Sequence, residues 1–533
     1  MSIPITPFLW MITILPILIL LILMVRFQWG AIEAAPAALA VTALNGVVFY
    51  RADLELIAVE SAKGIWSALT ILVIVWTAVL LYQVGNEANA FSVIRDGMKR
   101  YLPNELLLVL SLGWVFTSFL QGITGFGVPV AVGAPLLIGI GVNPLWAVVI
   151  PLLGQSWGNT YGTLGAAWDA LAMSAGMEAG SPEYFRTALY AALFLWVWNL
   201  VLGLVICWFY GRARAVCKGL PAVLVLSVVQ GGGELFMSQI NTTTACFLPA
   251  CISLIAVLLL GRLPLYREDW RMEDSPVMSG QRPRQEDAVK SGMSFVQAIL
   301  PYVLLTAITL VVLMVGPVKQ LLGSFSIGFA FPETATGYGF VNPAVDSFSP
   351  ISPFTHASMF LLLSALAGLF YYKKHGWITP GGGKRALARS VSMTIPSGIA
   401  VIGLVAMSRV MSGTGQTAVL ANGIAQVMGK SYVFLSPFVG MFGSFMTGSN
   451  MSSNILFGEF QQMTSQVLGV NTACVLGAQT AGGSIGSAIS PSNIVLGTTT
   501  ANILGREGEV LRKTSCIVIP IALAMGVLVY LFV

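Results

Sequence analysis

Nine stretches of this chain, 7–25, 31–50, 66–84, 186–209, 244–262, 295–316, 354–372, 390–408 and 514–533, are apolar for most of their length. About twenty such residues in an α-helix span the hydrocarbon core of a bilayer. No water-soluble fold has room to bury nine of them. Only 9% of the residues are charged, against roughly a quarter in soluble domains. The expected fold class is therefore an all-α polytopic membrane protein of about twelve spans, with the lipid bilayer as its solvent. The first stretch has neither the basic flank nor the small-residue cleavage site of a signal peptide and is expected to be a retained helix.

The loops suggest an orientation. Lys and Arg gather at Arg95–Arg100, Arg212–Lys218, 262–294, Lys373–Arg389 and Arg506–Lys513, whereas 162–183 has no lysine and 317–353 has only one. Basic loops stay on the cytoplasmic side. With 220–240 and 244–262 as two spans, all five fall on one side and both termini face outward. The polar stretch 263–294 reads as a flexible cytoplasmic linker between a first half, 1–262, and a second, 295–533. The net charge of +5 reports this topology and implies no nucleic-acid partner. Six scattered cysteines and two histidines form no metal or cofactor motif.

The halves share patterns. Ser118–Gly122 (SFLQG) resembles Ser444–Gly448 (SFMTG), and Gly141-Val142-Asn143 resembles Gly469-Val470-Asn471 at nearly the same offset. Runs of small and polar residues follow both, at 152–165 and 476–493. By the loop topology the equivalent segments start on opposite sides of the membrane, which makes this an inverted repeat. Secondary transporters have that architecture, with their sites at the repeat interface near the midplane.

Within each half one motif interrupts a helix. In 120–129 (LQGITGFGVP) three glycines and a proline predict a half-helix ending near Gln121, a loop, and a new half-helix from Val128 or Pro129. In 447–454 (TGSNMSSN) hydroxyls and amides crowd together. Irregular backbone at this depth is tolerated where it is buried or lines a cavity. Half-helix N-termini offer free N–H groups to an anion without a buried cation. Small residues also let helices pack closely, but two such motifs at equivalent repeat positions point to a binding site. The candidate substrate-binding residues of the first half are Gln121, Gly122, Thr124, Gly125, Gly127, Asn159 and Tyr161. Those of the second are Arg409, Thr447, Ser449, Asn450, Ser452, Ser453, Asn454, Gln479 and Ser484.

These segments resemble the L-lactate permease family. Gly122–Ala131 (GITGFGVPVA) is similar to its GxxGFGxPVA segment, and Leu136–Leu145 continues it. Arg409–Ser412 (RVMS) stands at its RLMS position, Thr447–Asn454 at its TGSDxSSN and Ile489–Pro491 at its ISP. The resemblance implies proton-coupled uptake of lactate or glycolate, with a small organic anion and a proton as partners. Two positions depart from the pattern: Gln121 replaces a Glu and Asn450 an Asp. An amide hydrogen-bonds but does not titrate, so these positions cannot carry the proton. Such a change would also suit a carrier of another small anion, a sulfonate or a dicarboxylate, with altered or no proton coupling.

Glu459, Glu234 and Asp169 remain as candidate coupling acids, because a carboxyl at membrane depth is costly enough to be functional by default. Arg409 ends an apolar run and has two readings, a fixed cation for a carboxylate or a side chain snorkelling to the interface. Trp157, Tyr161 and Trp168 either wall a pocket or belt an interface, the belt being favoured for Trp168. A channel would be expected to form from a ring of short subunits. An enzyme would need a catalytic constellation, and neither an HExxH nor a cluster of His and acids in an expected cavity is present. The chain thus reads as a carrier and not an enzyme, with the bacterial inner (plasma) membrane as its expected location.

Overall fold

A computed structural model describes residues 3–27, 29–125, 127–279 and 292–533. Among these, nine helices are long and apolar enough to cross a membrane. One of the nine, Pro182–Ser238, is interrupted at Gly211 and Arg212, where the chain leaves helical geometry beside the Arg212–Lys218 cluster. It therefore supplies two crossings, as the loop topology requires. Shorter apolar helices, including Val128–Ile138 and Pro144–Ser156, fill the interior.

The element order of the first half recurs in the second. A helix that stops at Ile123 meets Val128–Ile138 through a short loop, then Pro144–Ser156, a turn at 157–161 and Gly162–Ser174. The second half repeats this as Ser436–Thr447, Asn450–Leu468, Thr472–Gly486, a turn at 487–490 and Pro491–Thr500. Packing follows the same correspondence. Gly162–Ser174 lies on Asn450–Leu468, and Pro491–Thr500 lies on Val128–Ile138. Ala31–Phe49 lies on Gly382–Gly413, and Ala357–Lys374 lies on Leu54–Glu87. Asn143 and Asn471, the repeated residues of the sequence, each cap a helix by accepting from a backbone N–H, Leu145 in one case and Cys474 in the other.

The two hairpins enter from opposite faces. Gly139, at the root of the first, packs against Arg95, and Lys513 sits 4.5 Å from the ring centre of neighbouring Trp146. Phe434, at the root of the second, packs against Gly526. Gly526 lies toward the far end of Glu507–Phe532, away from its basic start. The helices inside each hairpin approach closely because glycines face backbone. A Cβ on Gly440 would stand 1.9 Å from the Gln479 carbonyl oxygen, and one on Gly154 2.1 Å from that of Gly113.

Two features were not legible in hydropathy. On the face opposite the basic loops, Ile327–Phe331 pairs antiparallel with Val345–Ile351, and Trp66 donates to the Phe348 carbonyl at 3.1 Å. The linker expectation also changes over 264–279. Ser275 donates to the Tyr210 carbonyl at 2.6 Å, Asn143 N–H to Val277 at 2.8 Å and Ser279 N–H to Gly141 at 2.9 Å. That part is docked because its turns satisfy the buried polar groups of the 139–143 loop. The remainder, 280–291, lies outside the described residues.

Candidate functional site

The helix interrupted by the first motif runs to Ile123, and the next begins at Val128 with Gly127 as its N-cap at φ +78°. Gly448 ends Ser436–Thr447 at the same angle. Both glycines hold left-handed backbone, which costs an L-residue roughly 1–2 kcal/mol. Contact also forbids a side chain: a Cβ on Gly127 would meet Leu496 at 2.5 Å, and one on Gly448 would meet Ser492 Oγ at 2.2 Å. The two tips therefore end in compact backbone that packs against the second half's short helix Pro491–Thr500.

Between the tips is a small polar cavity of ≈ 30 Å³. Gln121 and Gly127 line it from the first tip, and Gly448, Ser449 and Asn450 from the second. The two midplane turns contribute Asn159 and Ser487, with Gln155, Thr163 and Asn493 beside them. One water occupies about 10–15 Å³ measured this way, so the space suits a molecule of few heavy atoms. No charged residue lines it among the described residues. A second cavity of ≈ 230 Å³ adjoins, sharing Gly448, Ser449 and Asn493 and bordered by Thr447 and Ser452.

The donors and acceptors follow from the fold. Ser449 precedes Asn450–Leu468 without capping it through its side chain, so the first N–H groups of that nineteen-residue helix have no side-chain cap. Asn159 donates to Ser487 Oγ at 2.6 Å and to the Ser484 carbonyl at 3.0 Å. Asn450, 3% exposed, donates to Thr160 Oγ1 at 3.2 Å and Thr480 Oγ1 at 3.3 Å. The amide oxygens of Gln121, Gln155 and Asn450 have no partner among the described residues. The cavity thus offers unmet acceptors together with a helix N-terminus, a set that fits a molecule carrying both a hydroxyl and a carboxylate.

The L-lactate permease family matches residues 10–533. The chain belongs to the L-lactate permease family. It is 26% identical to an L-lactate permease of Halalkalibacterium halodurans, over 94% of this chain and 92% of that one. It is 28% identical to the glycolate permease GlcA of Escherichia coli, over 85% and 82% of the two chains. A solved transporter, YdaH of Alcanivorax borkumensis, is similar at 14% identity and a TM-score of 0.42, over 87% of this chain and 84% of its own. This member of the L-lactate permease family is a polytopic membrane transporter.

Other sequence candidates lie behind the cavity wall. Gly122 packs against Phe247, and Gly125 against Thr163 and Gln121. Thr124 donates to Leu120 O at 2.9 Å, Ser453 to Gly440 O at 2.7 Å and Asn454 to Ala167 O at 2.9 Å. Gln479 donates to Ser453 Oγ at 3.2 Å, and Ser484 to Ser156 O at 2.6 Å. These bonds fix the tips and turns against one another. Tyr161 donates to Ala188 O at 2.8 Å and faces away from the cavity, with Trp168 5.3 Å from its ring. Trp168 is fully buried, which corrects its assignment to an interfacial belt: the re-entrant turn carries it inside. Trp157 is likewise internal, bonded to Ser118 Oγ at 2.8 Å.

Arg409 is not at the cavity. Its guanidinium pairs with Glu60 at 2.8 Å, and Glu60 also holds Lys63 at 2.7 Å. Phe348 of the strand pair lies 5.2 Å from the guanidinium. The expectation of a fixed cation at the cavity gives way to an ion cluster, because a buried Glu60 without cations would be uncompensated. Of the candidate acids, Glu459 accepts from Ser412 at 2.5 Å near this cluster, Asp169 is exposed, and Glu234 is wholly buried.

The sequence reading missed Gln155, Thr163, Ser487 and Asn493. All four lie in or beside the small polar runs noted at 152–165 and 476–493, which were the available signal.

Proposed function

We propose that this permease is a secondary carrier for a short 2-hydroxy-monocarboxylate of the lactate or glycolate class, bound between the two tips. The observation that carries the reading is the polar cavity at the meeting of two broken helices, in a chain whose relatives include an L-lactate permease and a glycolate permease. The substrate carboxylate sits against the N-terminus of Asn450–Leu468, and its hydroxyl donates to one of the unpartnered amide oxygens. Each contact compensates a group that the cavity otherwise leaves unpaired. A dicarboxylate finds no cation there for its second charge.

Transport follows from alternating access, in which the tips and turns expose the same cavity to one side and then the other. The adjoining cavity beside Ala31 and Pro396 provides one route. Basic loops at Arg95–Arg100 and Arg506–Lys513 support a cytoplasmic assignment for their face and an outward one for both termini. A bacterial inner membrane and proton symport belong to the same reading.

Uptake of radiolabelled lactate by proteoliposomes tests it. We expect saturable uptake, competed by glycolate and driven by an inside-alkaline pH gradient. Uptake that unlabelled glycolate leaves unchanged overturns the substrate class, and indifference to the gradient overturns proton symport.

A further inference from the structure

The family's typical acids are amides here, at Gln121 and Asn450, so proton coupling requires a carboxyl elsewhere. Of the acids Glu459, Asp169 and Glu234, only Glu234 is both fully enclosed and without a hydrogen-bond partner among the described residues. Glu459 has Ser412 as a partner at 2.5 Å, and Asp169 is exposed. Glu234 is 0% exposed, and neither carboxylate oxygen has a hydrogen-bond partner among the described residues.

Its surroundings explain how it stays enclosed. Glu234 follows a π-helical turn, Val228–Gly232, a local distortion frequent at functional sites. Gly231 packs against Trp196 and Gly233 against Pro249, so the helix is wedged between its neighbours. Tyr161 and Cys246 are titratable groups near enough to Glu234 to feel its charge. Tyr184 and then Asp169 follow beyond Tyr161. No described Lys, Arg or His is paired with it. An ionised carboxylate in such a place is uncompensated, so the site accommodates the neutral acid.

A thin wall separates Glu234 from the cavity. Cys246, close enough to Glu234 to feel its charge, would stand 2.7 Å through its Sγ from a Cβ on Gly158, whose next neighbours are the Gln121 side chain at 3.8 Å and the Gln155 carbonyl at 3.9 Å. Gly158 belongs to the turn that carries Asn159, and Thr163 just beyond also lines the cavity. That segment is strained. Thr163, Leu164 and Gly165 hold φ of 50°, 49° and 86° in succession, a left-handed turn in which two residues carry side chains. Consecutive left-handed residues of this kind persist only where surrounding structure imposes them.

We propose that Glu234 is the proton-carrying group of this permease and that the segment 157–165, strained at Thr163–Gly165, couples its protonation to occupancy of the cavity. The proposal rests on the reading of the chain as a lactate- or glycolate-class carrier. An O–H bond of hydronium breaks as the O–H bond of the acid forms, and the reverse transfer to water releases the proton; no other bond changes. Protonation lets the wall close over a dry Glu234. Ionisation demands water, which enters only when the turn relaxes and the cavity opens.

The experiment uses the purified full chain in proteoliposomes, with an entrapped pH dye and radiolabelled lactate. For E234Q we expect lactate counterflow to persist while lactate-driven proton influx and accumulation down a pH gradient are lost. Glu234→Asp restores both, with the pH profile of uptake displaced. Wild-type proton influx and accumulation in E234Q overturn the proposal, as does loss of counterflow together with coupling in folded E234Q. If E234Q fails to fold, Glu234→Asp decides alone: a displaced pH profile supports the proposal and an unchanged one overturns it. Absence of counterflow in the wild type contradicts the carrier reading itself and is distinguishable from all these.

Discussion

Asn450→Asp puts a charge where the account places the substrate carboxylate. The cavity is ≈ 30 Å³, so a bound anion and residue 450 are close neighbours. Two unit charges about 4 Å apart repel by about 4 kcal/mol at an effective dielectric of 20, which is roughly a thousandfold in affinity. Losing the two hydrogen bonds that Asn450 donates to Thr160 and Thr480 accounts for less, at about 0.5–1.5 kcal/mol each. Both hydroxyls can also turn to donate to a carboxylate, so the fold is retained. Equilibrium binding of radiolabelled lactate to purified protein is the assay, run across pH beside Asn450→Ala. We expect Asn450→Asp to lose nearly all affinity at alkaline pH and to recover it in acid, where the new carboxylate is neutral. Asn450→Ala loses less and does so without pH dependence. Wild-type affinity for Asn450→Asp at alkaline pH refutes the placement of the anion.

Gly448→Ala meets both the left-handed angle and Ser492 Oγ at 2.2 Å, so transport should collapse. Gly469→Ala has no atom within 4 Å of the new Cβ and should cost only about 1–2 kcal/mol of backbone strain; equal transport rates for the two variants contradict the tip geometry. Glu60→Gln leaves buried Lys63 and half-buried Arg409 without their anion, a loss of about 3–5 kcal/mol, read as a lower thermal midpoint in detergent. An unchanged midpoint shows that this cluster is not structural. A cysteine at Ser449, with Cys217 and Cys516 replaced because they are exposed, should react with a thiol reagent more slowly in saturating lactate. Labelling that lactate does not slow removes Ser449 from the site.

What was legible in the sequence was set by local chemistry. Apolar runs gave the spans, and Gly, Pro and Asn gave the breaks: a loop expected between Gln121 and Val128 lies between Ile123 and Val128. The matched asparagines, Asn143 and Asn471, are helix caps. Long-range partners were not legible. Nothing near Arg409 announces Glu60, 349 residues away, so the arginine reads as a free cation until the helices are packed. Thr163 and Asn493 reach the cavity because re-entrant turns bring distant chain together, and the left-handed backbone at Thr163–Gly165 has only one glycine to signal it. The docked linker depends on backbone bonds to the 139–143 loop, which composition does not encode.

The central claim is a location as much as a substrate. It is tested most directly by experimental density maps of the protein in a membrane, with and without saturating lactate. Ligand density is expected between the tips, against the start of Asn450–Leu468 and within reach of Gln121 and Asn159. Ligand density beside Arg409 and Lys63, with the tip cavity unchanged, would contradict it.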